Sequence, residues 1–236
     1  AGRKGQEGKI MSDRENPHTG HRKRVRKRFT DEGLESFSDH EILELLLFYS
    51  VPRRDTNETA HRLISRFGSL SSVFDAGIGE LTDVEGISLN TAVLIKLIPA
   101  LSRAYLLDRD TRYPSFRDPE KLGRYLVNSF IGCTGERLIA VYFNNRGECI
   151  GKTVVSEGTV NSTDIPVRKI AETGYRMKAA YFVLAHNHPD GDPIPSAEDI
   201  SATETCTEIF CRLGIPLAEH YVIGGNSCRR IISADE

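Results

Sequence analysis

The sequence predicts an α/β protein in two parts, a helical N-terminal domain followed by a domain in which helices alternate with a small sheet. Two changes of pattern carry that expectation. Apolar residues recur at helical spacing as far as about Leu106, and beyond about Pro119 the chain breaks into short apolar runs joined by turns. Between them, Asp108 to Pro119 holds charges, Tyr113-Pro114 and Asp118-Pro119 but no periodicity, which sets a boundary at 110–117. A chain of 236 residues with 39% hydrophobic content can give each part its own core.

Residues 1–19 read as a disordered leader, residues 20–110 as the helical domain and residues 117–236 as the α/β domain. In the first domain a basic helix runs from His21 to Phe29. Ser38 with Glu41 forms a capping box ahead of the apolar run Ile42 to Phe48. The segment 51–55 breaks that helix, and Thr56 to Phe67 returns to helical spacing with Gly68 as its C-cap. Leu81 to Ala92 then has the layout of a helix-hairpin-helix, with Gly86 at the tight turn and Leu94 to Leu106 on the second helix. Amides at the start of that helix could meet a phosphate, and a plain helix connection fits equally.

In the second domain Leu138 to Phe143 and Cys149 to Val155 read as strands flanking a turn at Asn144 to Gly147. Ala180 to Leu184 reads as a buried strand and His220 to Ile223 as a closing one. Ile165 to Met177 and Ala197 to Leu213 have helical spacing.

Composition narrows the function. No stretch approaches the eighteen or so apolar residues of a membrane span, so a cytoplasmic protein without membrane contact is expected. Five scattered cysteines without CxxC pairs read as reduced thiols. The net charge of −2 hides a dense basic run, six cations and no acid from Gly20 to Arg28, which fits either a solvated helix face or a surface for nucleic-acid phosphates.

The segment Ala185 to Asp199 carries the chemistry. On a strand, positions two apart share a face, so His186 and His188 project together. Pro189, Gly191, Pro193 and Pro195 shape a loop that returns the chain to a helix start and brings Asp199 in as a third, oxygen ligand. Two imidazoles and a carboxylate suit a catalytic zinc, with the fourth tetrahedral position left to water. Each piece also has a plain reading: strand-end histidines are often surface residues, and Ser196-x-x-Asp199 is also a capping box. The H-x-E with P-C-x-x-C of zinc deaminases and the H-E-x-x-H of thermolysin-like proteases are absent, and the loop lacks the carboxylates of a two-metal nuclease unless Asp190 or Asp192 contributes.

His186-x-His188-Pro189 with Ser196-x-x-Asp199 resembles the JAMM signature of JAB/MPN metalloproteases, and His186-Asn187-His188-Pro189 is similar to the bacterial RadC family in particular. Gly20-His21-Arg22, Phe37-Ser38-Asp39, Pro52-Arg53-Arg54-Asp55 and Arg66-Phe67-Gly68-Ser69-Leu70 resemble RadC segments too, so the resemblance covers nearly everything after Met11. It implies a JAB/MPN-like, cytidine-deaminase-like α/β/α domain with a mixed sheet, Zn2+ as cofactor, and metal ligation by His186, His188 and Asp199. It further implies a glutamate at the start of the first core strand as general base, the place of Glu136, with Glu157 as competitor, and Ser196 as oxyanion donor. His220, ahead of an apolar strand, reads either as a satisfied buried histidine or as a partner behind a metal ligand. Two positions depart from the family's usual pattern, Asp190 in place of a serine and Val167-Arg168 in place of Arg-Glu.

The implied activity is that of a zinc metallopeptidase or isopeptidase acting on an unidentified peptide or protein, with non-specific DNA and a second copy of the chain (a homodimer) as further partners. The competing expectation is a nucleic-acid-associated binding module in DNA repair or recombination whose metal is structural or vestigial.

Overall fold

A computed structural model describes residues 17–52, 54–110, 115–158, 165–189 and 191–231. The expected leader lies outside the described residues through Asn16, and a helix begins at Pro17. The described residues fall into two compact units, divided between Lys96 and Leu97. The composition shift at 110–117 falls beyond that division, because the helical pattern runs on past Lys96 to Asp110; residues 111–114 lie outside the described residues.

The first unit is helical: α1 (Pro17–Glu32), α2 (Asp39–Leu47), α3 (Asn57–Phe67), α4 (Leu70–Asp75), α5 (Ile78–Thr82) and the start of α6 (Leu89–Asp110). Ser38 opens α2 as expected, its amide donating to the Glu41 carboxylate at 3.0 Å. Leu43, Leu47, Ala60, Leu63, Leu81 and Ile95 then meet in one core. The turn between α5 and α6 needs glycine, since Gly86 has φ +95° and a Cβ there would lie 2.8 Å from Thr59 Oγ1. Ser88 closes the turn by accepting the Thr91 amide at 3.3 Å.

The second unit comprises the rest of α6, then α7 (Pro119–Ser129), β1 (Arg137–Phe143), β2 (Cys149–Glu157), α8 (Val167–Met177), β3 (Tyr181–Asn187), α9 (Ala197–Arg212), β4 (Leu217–Gly224) and β5 (Ser227–Arg230). The sheet order is β2-β1-β3-β4-β5. Only the β3–β4 pair is parallel, so the sheet is mixed.

Helices cover both faces. Ile170 of α8 and Phe210 of α9 pack on Leu138, Ala140, Tyr142, Phe182 and Leu184, while Leu122 and Leu126 of α7 pack on Ile139, Val141, Val183 and Ala185. Burial on both faces is why β1 and β3 read as unbroken apolar runs rather than alternating ones. Each fully buried Leu or Phe here contributes roughly 1.5–3 kcal/mol of apolar transfer.

Three elements were not legible, the six-residue α4 among them. Asp118-Pro119 looks like a breaker, yet Asp118 Oδ1 accepts the Lys121 amide at 3.0 Å and Pro119 occupies the first turn, so the pair starts α7. The strand β5 is four residues without apolar alternation and is held by its backbone ladder to β4. Among the described residues no helix is long and apolar enough to cross a membrane.

Candidate metal centre

The strand β3 continues two residues further than its apolar run, so it carries His186 within the sheet and delivers His188 just past its end. Antiparallel pairing sets Leu138 opposite His186, and parallel pairing sets Leu184 opposite His220. The side chains of Leu138, Leu184, His186 and His220 therefore share the face that α9 covers. Past His188 the chain turns back along the end of β4, where the His188 amide donates to Ile223 O at 2.8 Å. A Cβ on Gly224 would stand 2.5 Å from Pro193 N and 2.6 Å from Asp192 C, so the loop closes against bare backbone.

Ser196 then opens α9. Its hydroxyl donates to Asp199 Oδ2 at 2.6 Å, its amide donates to the same oxygen at 2.8 Å, and its oxygen accepts the Asp199 amide at 3.1 Å. This is the capping box, formed by the same aspartate that the ligand reading requires. The hydroxyl proton of Ser196 is thus engaged on Asp199, and an oxyanion role would require that bond to be released.

The predicted ligands converge. His186 Nε2 lies 3.1 Å from His188 Nε2 and 3.2 Å from Asp199 Oδ1, and His188 Nε2 lies 3.4 Å from Asp199 Oδ2. Among the described residues this is the group of three that could hold a metal ion. Burial would push the Asp199 carboxyl up, but the adjoining His186 ring and the hydroxyl and amide of Ser196 outweigh it and hold the group well below the usual carboxylate range. His188 Nδ1 stands 3.0 Å from Asp192 O. A carbonyl can only accept, so Nδ1 carries the proton and Nε2 offers a lone pair to the cluster.

His220 is buried at 3% exposure, as expected of it, but it is also tied to the cluster: its Nε2 is 2.9 Å from His186 Nδ1, and its Nδ1 is 2.7 Å from Thr203 Oγ1. Burial, with His186 adjoining, pushes His220 down to about 3, against the opposing charge of Asp199, so the ring is neutral.

Glu136 lies immediately before β1. Continuing the β1–β3 register by two residues sets it across from His188, on the face that carries His186. Asn187, which the sequence reading passed over, holds that end of β1: its Oδ1 accepts the Arg137 amide at 2.8 Å and its Nδ2 donates to Gly135 O at 3.1 Å. Its sequence signals were its place inside the His186-Asn187-His188-Pro189 run and a polar side chain ending an apolar strand. Glu157 pairs with Arg137 at 2.8 Å, and their direct register puts both on the opposite face from His186. Asp190 lies outside the described residues.

Three of the cysteines are poor rivals as nucleophiles. All five are free, and burial pushes the thiols of Cys149, Cys206 and Cys228 up, Cys206 to about 11.

By fold and site the second unit is a three-layer α/β domain with a two-histidine, one-carboxylate cluster at the sheet end. A profile of the RadC-like JAB domain matches residues 116–235, and one of the UPF0758 N-terminal domain matches residues 18–93. A UPF0758 protein of Fusobacterium nucleatum is 33% identical over 226 residues, 92% of this chain and 96% of that one. UPF0758 proteins of Bacillus pumilus and a Geobacillus species are each 33% identical, over 88% and 85% of this chain and 92% and 89% of theirs. The chain belongs to the RadC-like, UPF0758 family.

Proposed function

We propose that this protein is a zinc-dependent peptidase or isopeptidase, with the ion held by His186, His188 and Asp199 and Glu136 as general base. The observation that carries the reading is the convergence of these three side chains, whose ligand atoms all lie within 4.8 Å of one another. The separations of 3.1, 3.2 and 3.4 Å suit one small ion, since tetrahedral ligands about 2.0–2.1 Å from zinc stand roughly 3.3 Å apart.

When bound, zinc supplies a Lewis acid that polarises a carbonyl and brings water's pKa towards neutrality. The protein's own groups do the rest. Glu136 takes a proton from the attacking water and returns it to the leaving amine. Ser196 and the α9 N-terminus hold Asp199 in place, and Ser196 can turn its hydroxyl to a developing oxyanion. Asn187 fixes the backbone on both sides of Glu136.

Zinc content of the purified protein tests this directly. About one zinc per chain is expected, lost in His186→Ala and in His188→Ala, with chelator-sensitive cleavage of peptide or isopeptide substrates. Unchanged zinc in both variants would remove the site.

A second reading, a nucleic-acid-associated module, is favoured by α1, but only part of the basic run is free to serve it. Arg22 donates to Val51 O at 2.7 Å, Arg28 pairs with Glu41 at 2.8 Å, and Lys27 pairs with Asp31. Lys23, Arg24 and Arg26 are exposed, Arg26 lying over the Phe48 and Tyr49 rings.

A further inference from the structure

We infer that Thr203 and His220 form a one-directional hydrogen-bond relay that locks His186 in the tautomer with a bare Nε2. The relay runs from the carbonyl of one proposed ligand, Asp199, to the ring of another, His186.

The direction follows from counting protons. Thr203 Oγ1 lies 2.6 Å from Asp199 O. A carbonyl has no proton to give, so the hydroxyl's single proton lies on that bond. The other contact of Thr203 Oγ1, to His220 Nδ1 at 2.7 Å, must then be donated by the ring. Shut away from water and without a carboxylate on either ring nitrogen, the His220 imidazole holds one proton, on Nδ1, and its Nε2 lone pair can only accept. The 2.9 Å contact to His186 Nδ1 is therefore donated by His186, and His186 Nε2 is left bare.

The reverse direction leaves a fault in a dry place, because Thr203 and His220 are both buried. If Thr203 donated to His220, its oxygen would face Asp199 O at 2.6 Å with no proton between. Three elements take part, β3, β4 and α9, so the relay also fixes the first turn of α9 against the sheet. Burial alone would be satisfied by any apolar side chain at 220; the relay needs an acceptor at the Nε2 position. Thr203 and His220 are thus positioning residues, and their effect on zinc rests on the reading above.

The test reads tautomers first, in metal-free protein, by long-range proton–nitrogen correlation in 15N-labelled samples. Wild type should show His186 protonated on Nδ1. In His220→Leu the proton should move to His186 Nε2, where Asp199 Oδ1 stands 3.2 Å away to accept it. His188 should keep its Nδ1 proton throughout, held by Asp192 O, and serves as the internal control. Zinc affinity, measured by competition with a chromogenic chelator, should fall roughly 10- to 100-fold in His220→Leu and recover largely in His220→Gln, whose carbonyl can accept from His186. Thr203→Val preserves shape and should lower zinc affinity while both His186 tautomers coexist; Thr203→Ser should restore both readouts. A wild-type His186 protonated on Nε2, or a folded Thr203→Val with wild-type tautomer and zinc affinity, overturns the relay. Wild-type protein that binds no zinc yet shows the Nδ1 tautomer supports the relay and sinks the hydrolase reading instead.

Discussion

Gly224→Ala should damage the centre without touching any proposed ligand. The added Cβ would meet Pro193 N at 2.5 Å, Asp192 C at 2.6 Å and Gly191 O at 2.8 Å. All three are backbone atoms, so no side chain can swing aside, and the loop must lift by most of an ångström to reach ordinary contact. Overpacking of this kind costs about 1–3 kcal/mol, or roughly 2–12 °C in Tm for a chain of this size at 2–4 °C per kcal/mol. The lift also carries Asp192 O away from His188 Nδ1, now 3.0 Å apart, and so releases the group that orients the ring. Zinc affinity should then fall by roughly 10- to 100-fold, the usual effect of losing a partner behind a metal ligand. Differential scanning fluorimetry of metal-free protein and chelator competition read the two effects separately. A Gly224→Ala protein with wild-type Tm and wild-type zinc affinity would refute the reasoning that this glycine sets the loop's height over the site.

Glu136→Gln should keep zinc and lose turnover by at least about 100-fold, whereas Glu157→Gln, on the far face with Arg137, should stay active; the reverse pattern in a kcat comparison would transfer the base to Glu157. Charge reversal of Lys23 and Arg24 should flatten the slope of log affinity against log salt for non-specific DNA by about 2 and leave zinc content unchanged. Absence of DNA binding by wild type even at low salt would leave the helical unit as a protein-docking element. Glu41→Gln should destabilise the helical unit by about 1 kcal/mol at neutral pH, followed by circular dichroism on thermal melting. The Ser38 amide, then Arg28, hold the Glu41 carboxyl down at about 2 in the folded protein against 4.5 ordinarily. Its stabilisation is therefore full above about 4.5 and is lost as pH falls towards 2. The wild-type advantage over Glu41→Gln should vanish over that window, and an advantage that persists at the acid end would contradict it.

The sequence by itself determined most of what depends on neighbours along the chain. Helical spacing and the Ser38–Glu41 and Ser196–Asp199 caps are local, and so were legible, as were the turn at Gly86 and the shared face of His186 and His188. The convergence of Asp199 on the histidines was an expectation from a proline-rich loop, and the fold brings the three side chains together. Tertiary structure alone decided the rest. Asp118-Pro119 has the same composition whether it breaks a chain or starts a helix, and packing against the sheet selects the helix. Register cannot be read from one strand, so only pairing shows that Glu136 lies on the face of His186 and Glu157 on the other. The partners behind the ligands come from separate elements: Asn187 reaches across to residues 135–137, 50 or more positions away, and His220 meets His186 from 34 positions away. Their partners have no local signal, because a buried polar group is defined by what the fold sets opposite it.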